Sequence, residues 1–167
     1  MKITLRKAGA DDIPLIARLA DTIWRAHYTE IIGLEQVEYM LNKMYNPNSL
    51  FDQIQHKLHV FYLVILNEEE VGFISISNEG QNKYMLNKFY LLQNLQGKGL
   101  GTLSFQQLLE ENPDIHEIRL TVNRQNFKSI NFYFKLGFKI EKVADFDIGD
   151  GYFMNDFVMI FSKKKYN

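Results

Sequence analysis

Residues 96–102 read Gln-Gly-Lys-Gly-Leu-Gly-Thr, three glycines in five positions, between a stretch that reads as a strand and one that reads as a helix. Glycine lets the backbone turn tightly and brings its N–H groups close to a ligand with no Cβ in the way. A helix N-terminus adds unsatisfied donors and a positive dipole end, so the place suits an anion such as a pyrophosphate. Lys98 adds to that preference. Neither common nucleotide fingerprint fits. G-x-G-x-x-G fails because Thr102 stands three after Gly99, and a Walker A loop fails because Lys98 is followed by Gly99 rather than Ser or Thr. A bare turn would only weaken the start of the helix, so the loop is read as holding a phosphate-bearing ligand.

The rest of the chain supplies the frame for that loop. Residues 2–6 alternate as a strand, and Asp11 is the expected N-cap of a helix running towards Tyr28, with Pro14 in its first turn. After Gly33, the positions Leu34, Val37, Leu41 and Met44 recur at helical spacing. That helix should stop near Asn46-Pro47, and a short helix over 49–56 follows. Residues 59–66 and 71–77 read as a hairpin around Asn67-Glu68-Glu69-Glu70. A strand over 83–91 leads into the glycines, and a helix runs on to about Glu111. A strand over 117–122, a helix over 126–136 closed by Gly137, and strands over 139–146 and 153–161 complete the chain. The order β-α-α-(α)-β-β-β-α-β-α-β-β is a mixed-sheet α/β domain.

Composition narrows the function classes. At 167 residues with 46% hydrophobic and 23% charged residues, the chain reads as one domain, 1–167, able to bury its own core. It has no cysteine, which excludes a disulfide framework, a thiolate metal site and a cysteine nucleophile. A net charge of −1 speaks against a nucleic-acid partner. No apolar run is long enough for a membrane, and the N-terminus lacks a signal-peptide core, so a cytoplasmic protein is expected. His27, His56, His59 and His116 have no convincing metal spacing; His56-x-x-His59 straddles a helix end and a strand start.

A second motif lies about 30 residues beyond the first, in Val-Asn-Arg-Gln-Asn-Phe-Lys-Ser-Ile-Asn-Phe-Tyr-Phe-Lys-Leu-Gly-Phe-Lys, 122–139. Asn126, Ser129 and Tyr133 fall three and then four apart, one stripe of a helix. Phe127, Ile130 and Phe134 form the adjoining apolar stripe and are assigned to the core. Together the motifs resemble the GNAT superfamily of acyl-CoA-dependent N-acyltransferases. That family carries Gln/Arg-x-x-Gly-x-Gly/Ala between its fourth strand and the next helix, and Asn-x-x-Ala/Ser-x-x-x-Tyr-x-x-x-Gly-Phe further on. Gln96, Gly99 and Gly101 match the first pattern; Asn126, Ser129, Tyr133, Gly137 and Phe138 match the second. The resemblance implies the family's fold, a mostly antiparallel central sheet flanked by helices, and acetyl-CoA as the donor. It implies that Gln96, Gly97, Lys98, Gly99, Leu100, Gly101 and Thr102 hold the pyrophosphate, that the backbone of Phe89, Tyr90 and Leu91 lies along the pantetheine arm, and that Asn126, Ser129 and Tyr133 complete the cofactor site. It also suggests a homodimer.

Acetyl transfer to an amine sets chemical requirements. The attacking nitrogen must be neutral, which for a lysine-like amine costs about 4–5 kcal/mol at pH 7. The thioester oxygen needs a donor, for which the Leu91 N–H is the candidate. The departing sulfur needs a proton, for which the resemblance puts forward Tyr133 as general acid. No general base stands out. Many relatives place a Glu on the fourth strand, where this chain has Leu86-Asn87-Lys88-Phe89. Glu30 and His27 could act through water, or the site could select the minor neutral amine.

The acceptor is read from charge. Residues 141–162 carry Glu141, Asp145, Asp147, Asp150 and Asp156 against Lys142 alone, and the early helices add Glu30, Glu35 and Glu38. Carboxylates on both walls of a groove would attract a polycation. Residues 144–161 also resemble the C-terminal part of bacterial Pai-type spermidine/spermine N-acetyltransferases. Trp24, His27, Tyr28, Glu30 and Asp150 are therefore the expected acceptor contacts, with a polyamine as lead. A protein N-terminus, a lysine side chain or another small amine stays open as acceptor, and so does a non-catalytic CoA-binding module.

Overall fold

In the computed structural model, which describes residues 2–163, seven strands and five helices follow the expected order. They are β1 Ile3–Lys7, α1 Ile13–Ile32, α2 Leu34–Met44, α3 Pro47–Gln55, β2 Val60–Leu66, β3 Glu69–Gly80, β4 Lys83–Leu91, α4 Leu100–Glu111, β5 Glu117–Asn123, α5 Phe127–Leu136, β6 Lys139–Gly149 and β7 Tyr152–Ser162. The strand order in the sheet is β1-β2-β3-β4-β5-β7-β6. The chain resolves into two compact units. One holds the residues up to Ser77 with Lys88–Pro113, the other Asn78–Asn87 with the residues from Asp114 onward.

In the first unit, β1 lies antiparallel to β2 with Ile3 opposite Leu66, and β2 to β3 with Leu63 opposite Phe73. The hairpin turns at Asn67 and Glu68, both at positive φ. The run 60–66 is β-branched and aromatic because both its faces are covered: Phe61, Tyr62, Leu63 and Val64 are all buried. Helices α1, α2 and α3 pack on one another and contribute Ile16, Trp24, Val37, Met40 and Leu50 to the core.

The start of α1 departs from expectation. A 3-10 turn, Ala10–Asp12, precedes it, so the N-cap is Asp12 and not Asp11. The Asp12 carboxylate is engaged elsewhere, accepting from Arg6 Nη2 at 2.8 Å and from the Gly9 amide at 2.9 Å. Gly33 alone joins α1 to α2, at φ 83°. Asn46 caps α3 through its side chain, accepting from Ser49 N at 2.8 Å, which starts that helix two residues earlier than the sequence suggested.

In the second unit, the first half of β4 runs parallel to β5, with Tyr84 opposite Ile118. Strand β7 lies antiparallel between β5 and β6, with Asn123 and Ala144 flanking Asp156. Helix α5 is capped by Asn126 and closed by Gly137 at φ 98°, with Phe138 N donating to Tyr133 O. Of the apolar stripe expected in the core, Ile130 is buried but Phe127 and Phe134 are not. Asn126, Ile130 and Tyr133 are buried, while Phe127 is 69% and Phe134 46% exposed. Two adjoining stripes lie only some 100° apart on a helix, so apolar spacing alone does not say which one faces the sheet.

Candidate active site

The first unit holds the glycine loop and the strand that feeds it. Leu92 N donates to Val71 O at 2.9 Å, which brings the end of β4 against β3. There Gly72 has no room for a side chain: a Cβ would lie 2.1 Å from Tyr90 O and 3.0 Å from Leu91 Cα. Gln96 reaches back, its Nε2 donating to Leu91 O at 3.3 Å, so the loop is tied to the strand end it leaves. Gly97 and Gly99 both have left-handed φ, 80° and 78°. A Cβ at either would meet nothing within 4 Å, so conformation and not crowding calls for glycine here.

Gly99 is the N-cap of α4 and supplies no capping side chain. The amides of Leu100, Gly101 and Thr102 therefore begin a helix whose first donors have no intrahelical acceptor. The Leu100 side chain is fully buried and pins the helix start, while Gly97, Lys98, Gly99 and Thr102 are exposed. An open cradle of amides beside an exposed lysine fits a pyrophosphate.

The same unit collects the aromatic residues expected at the acceptor. Trp24 lies 4.5 Å from Tyr28 between ring centres, Tyr28 lies 4.8 Å from His27, and Tyr90 lies 5.9 Å from Trp24 and 6.3 Å from Tyr28. Trp24 is buried and backs the cluster, whereas His27 and Tyr28 keep partial exposure and Glu30 is exposed. Tyr45, which the sequence did not single out, packs on Trp24 at 5.7 Å, and burial holds its hydroxyl well above its ordinary pKa. On the early helices Glu38 is not a free carboxylate, because Arg25 binds it at 3.2 Å and Asp21 at 3.0 Å.

Lys88 was likewise missed as an inward group. It is buried, donates to Gln53 Oε1 at 2.8 Å, and lies over the rings of Tyr45 and Phe61 at 5.4 and 5.6 Å. Burial, helped by the charge of Lys57, pushes it down to about 8. Its signal was parity: Leu86, Lys88 and Tyr90 share one face of β4.

The second unit holds the other motif. Asn126 Oδ1 accepts from Ser129 N at 3.3 Å, so this pair is a helix cap as well as a candidate contact. Tyr133 is buried, its ring 5.4 Å from both Phe132 and Phe138. Asp150 is exposed in the β6–β7 turn.

The acidic cluster is less available than a count along the chain suggests. Arg119 binds Glu141 through two hydrogen bonds of 2.8 and 2.9 Å and also Glu117; its guanidinium holds the Glu141 carboxyl below the usual range. Arg124 binds Asp145 at 2.8 Å, and Asp147 accepts from Gly149 N. Asp156 is buried, and that burial raises its carboxyl to about 6. Among the described residues no group of three or more His, Cys, Asp or Glu could hold a metal, and no helix is long and apolar enough to cross a membrane.

Comparison with known proteins bears on the family and the fold. The acetyltransferase (GNAT) family model matches residues 19–138. The chain is 30% identical to a spermidine N(1)-acetyltransferase of Thermoplasma acidophilum, covering 99% of both sequences. Among solved structures, the PaiA N-acetyltransferase of Thermoplasma acidophilum in complex with coenzyme A superposes with a TM-score of 0.77 at 26% identity, covering 98% of this chain and 100% of that one. A GCN5-related N-acetyltransferase from Rhodopseudomonas palustris shares the fold with a TM-score of 0.79 at 14% identity, covering 98% and 97%.

Proposed function

Because this chain belongs to the GNAT acetyltransferase family and is an acetyl-CoA-dependent N-acetyltransferase, we propose that its acceptor is a polyamine such as spermidine or spermine. The observation that carries the reading is a relative of matching length, 30% identical, whose acceptor is spermidine. The half-exposed His27 and Tyr28, with Tyr90 beside them, support it, since aromatic faces attract cationic amines. Glu30 and Asp150 are exposed carboxylates that would pair with further ammonium groups.

Acetyl-CoA supplies an acyl group activated as a thioester. The amides of Leu100, Gly101 and Thr102, with Gln96, Gly97, Lys98 and Gly99, bind its pyrophosphate by backbone donors and one positive charge. The backbone of Phe89, Tyr90 and Leu91 orients the pantetheine arm, and Leu91 N–H donates to the carbonyl oxygen as charge builds there. Asn126 and Ser129 hold the start of α5 so that Tyr133 is fixed, and Tyr133 donates a proton to the departing sulfur. Transfer takes place in one ternary complex. The enzyme acts in the cytoplasm as a homodimer, to be checked by light scattering against the 19.7 kDa chain.

Coenzyme A release, followed with a thiol reagent over spermidine, spermine, putrescine, lysine and N-terminal peptides, tests the acceptor. The chain has no cysteine to react. Release fastest with spermidine or spermine is expected; release fastest with a peptide or lysine would replace the polyamine.

A further inference from the structure

The second unit exposes apolar side chains on two of its elements, and the topology brings them together. On α5, Phe127 and Phe134 lie two helical turns apart on one flank. On β6, Ile140 is 42% and Val143 58% exposed. Simple alternation would put these two on opposite faces, but the register slips between Ile140 and Lys142. Ile140 therefore lies opposite Met159 and Val143 opposite Phe157, and Met159 and Phe157 share a face with Phe161. That is the face α5 covers, because a Cβ at Gly137, which closes the helix, would lie 3.8 Å from the Phe161 ring.

Strand β7 is antiparallel to both β5 and β6, so β5 and β6 are parallel and α5 is the crossover between them. Such crossovers are right-handed. Phe127 and Phe134 each follow a buried residue, Asn126 and Tyr133, and so stand about 100° round the helix from the sheet. With both hands fixed, that flank is the one on the β6 side. The helix from Phe127 to Phe134 and the strand from Ile140 to Val143 both span about 10 Å. The α5 flank and the β6 ledge are two sides of one apolar step.

Three observations say what covers the step. The first is area: its four side chains expose on the order of 400 Å² of apolar surface. Doubled about a two-fold axis and completed by a polar rim, that comes to about 1,200 Å², the lower end of specific interfaces. The second is charge. Helix α5 carries Lys128 and Lys135 and no acid, whereas β6 past Val143 carries Asp145 and Asp147 and no base. Arg124 binds Asp145, while Asp147 meets the Gly149 amide and can take a lysine as well. A copy turned to lay its α5 on the β6 of another brings unlike charges together twice. The third is the edge itself. Strand β6 ends the sheet, and its register shifts at both ends, after Ile140 and after Asp147, spoil it for adding a further strand. The face is thus the surface on offer, rather than the edge.

We propose that this step is where a second copy of the chain docks, the α5 flank of each copy lying on the β6 ledge of the other. The proposal deepens the homodimer reading and rests on it. Sedimentation at micromolar concentration should find the wild type at twice the 19.7 kDa chain mass. Phe134→Lys on the flank and Val143→Glu on the ledge should each raise the dimer Kd about 100-fold or more. Both positions are exposed, so each variant should keep its circular dichroism. An equimolar mixture of the two variants should dimerise again, because one flank then sets a lysine against a glutamate and the other contact is wild type. Variants that dimerise as the wild type does would overturn this face and leave the homodimer standing. Weakened variants that fail to recover on mixing would overturn the flank-on-ledge arrangement. A wild type that stays monomeric would overturn the homodimer reading and, with it, a second copy as the occupant of the step.

Discussion

Lys88 Nζ and Gln53 Oε1 lie 2.8 Å apart with both side chains buried, an ammonium held by one amide oxygen and two aromatic rings. No carboxylate neutralises it among the contacts of this pair, so burial lowers its pKa from the ordinary 10.5 to about 8. The unfolded chain therefore binds more protons than the folded one between about pH 8 and pH 10.4, and stability rises with pH across that window. Below it the full penalty, on the order of 3 kcal/mol, is present. Urea unfolding from pH 7 to 10 should show the rise in the wild type and not in Lys88→Met. An equal rise in both would assign it to another group.

At Gly72 steric contact demands glycine, because a methyl there would press on Tyr90 O and Leu91 Cα. Gly72→Ala should displace the end of β4, cost roughly 1–3 kcal/mol of stability, and weaken acetyl-CoA binding at least tenfold. Calorimetry reads both. Unchanged affinity would detach this strand end from the donor site.

At Gly99 the demand is conformational and electrostatic. Gly99→Glu puts a side chain on a left-handed residue and a negative charge at an uncapped helix start. Acetyl-CoA binding should be lost while the fold persists, as circular dichroism would report. Normal binding would move the pyrophosphate elsewhere.

Tyr133→Phe removes one oxygen from a ring packed between Phe132 and Phe138. Turnover should fall at least tenfold with acetyl-CoA affinity nearly unchanged. Steady-state kinetics at equal turnover would take Tyr133 out of the mechanism.

The order of elements and the glycine loop were legible because both rest on local rules: turn residues, periodicity and caps within a few positions of one another. What was not legible depends on partners distant in sequence. The spacing 127–130–134 is as apolar as a core stripe, yet Phe127 and Phe134 face outward and Asn126 and Tyr133 inward. The acidic excess over 141–162 looked free because its counter-charges come from Arg119 in β5 and Arg124 just after it. Asp156 was counted with those acids, although its neighbours Phe157, Val158 and Met159 already hinted at a covered strand. Lys88 was noticed only as part of a stretch, Leu86-Asn87-Lys88-Phe89, that lacks the glutamate of many relatives, and not as a buried charge.

Gly33 gives α1 and α2 a joint fate. Its amide donates to Thr29 O at 3.0 Å and its carbonyl accepts from Val37 N at 3.1 Å, so one residue ends the first helix and begins the second. Neither helix can fray at this junction without unpinning the other. Trp24, Tyr28 and Val37 belong to those two helices, and Tyr45 follows directly on α2. Hydrogen exchange should find them opening as a single cooperative segment, so that when the aromatic wall loosens it loosens whole.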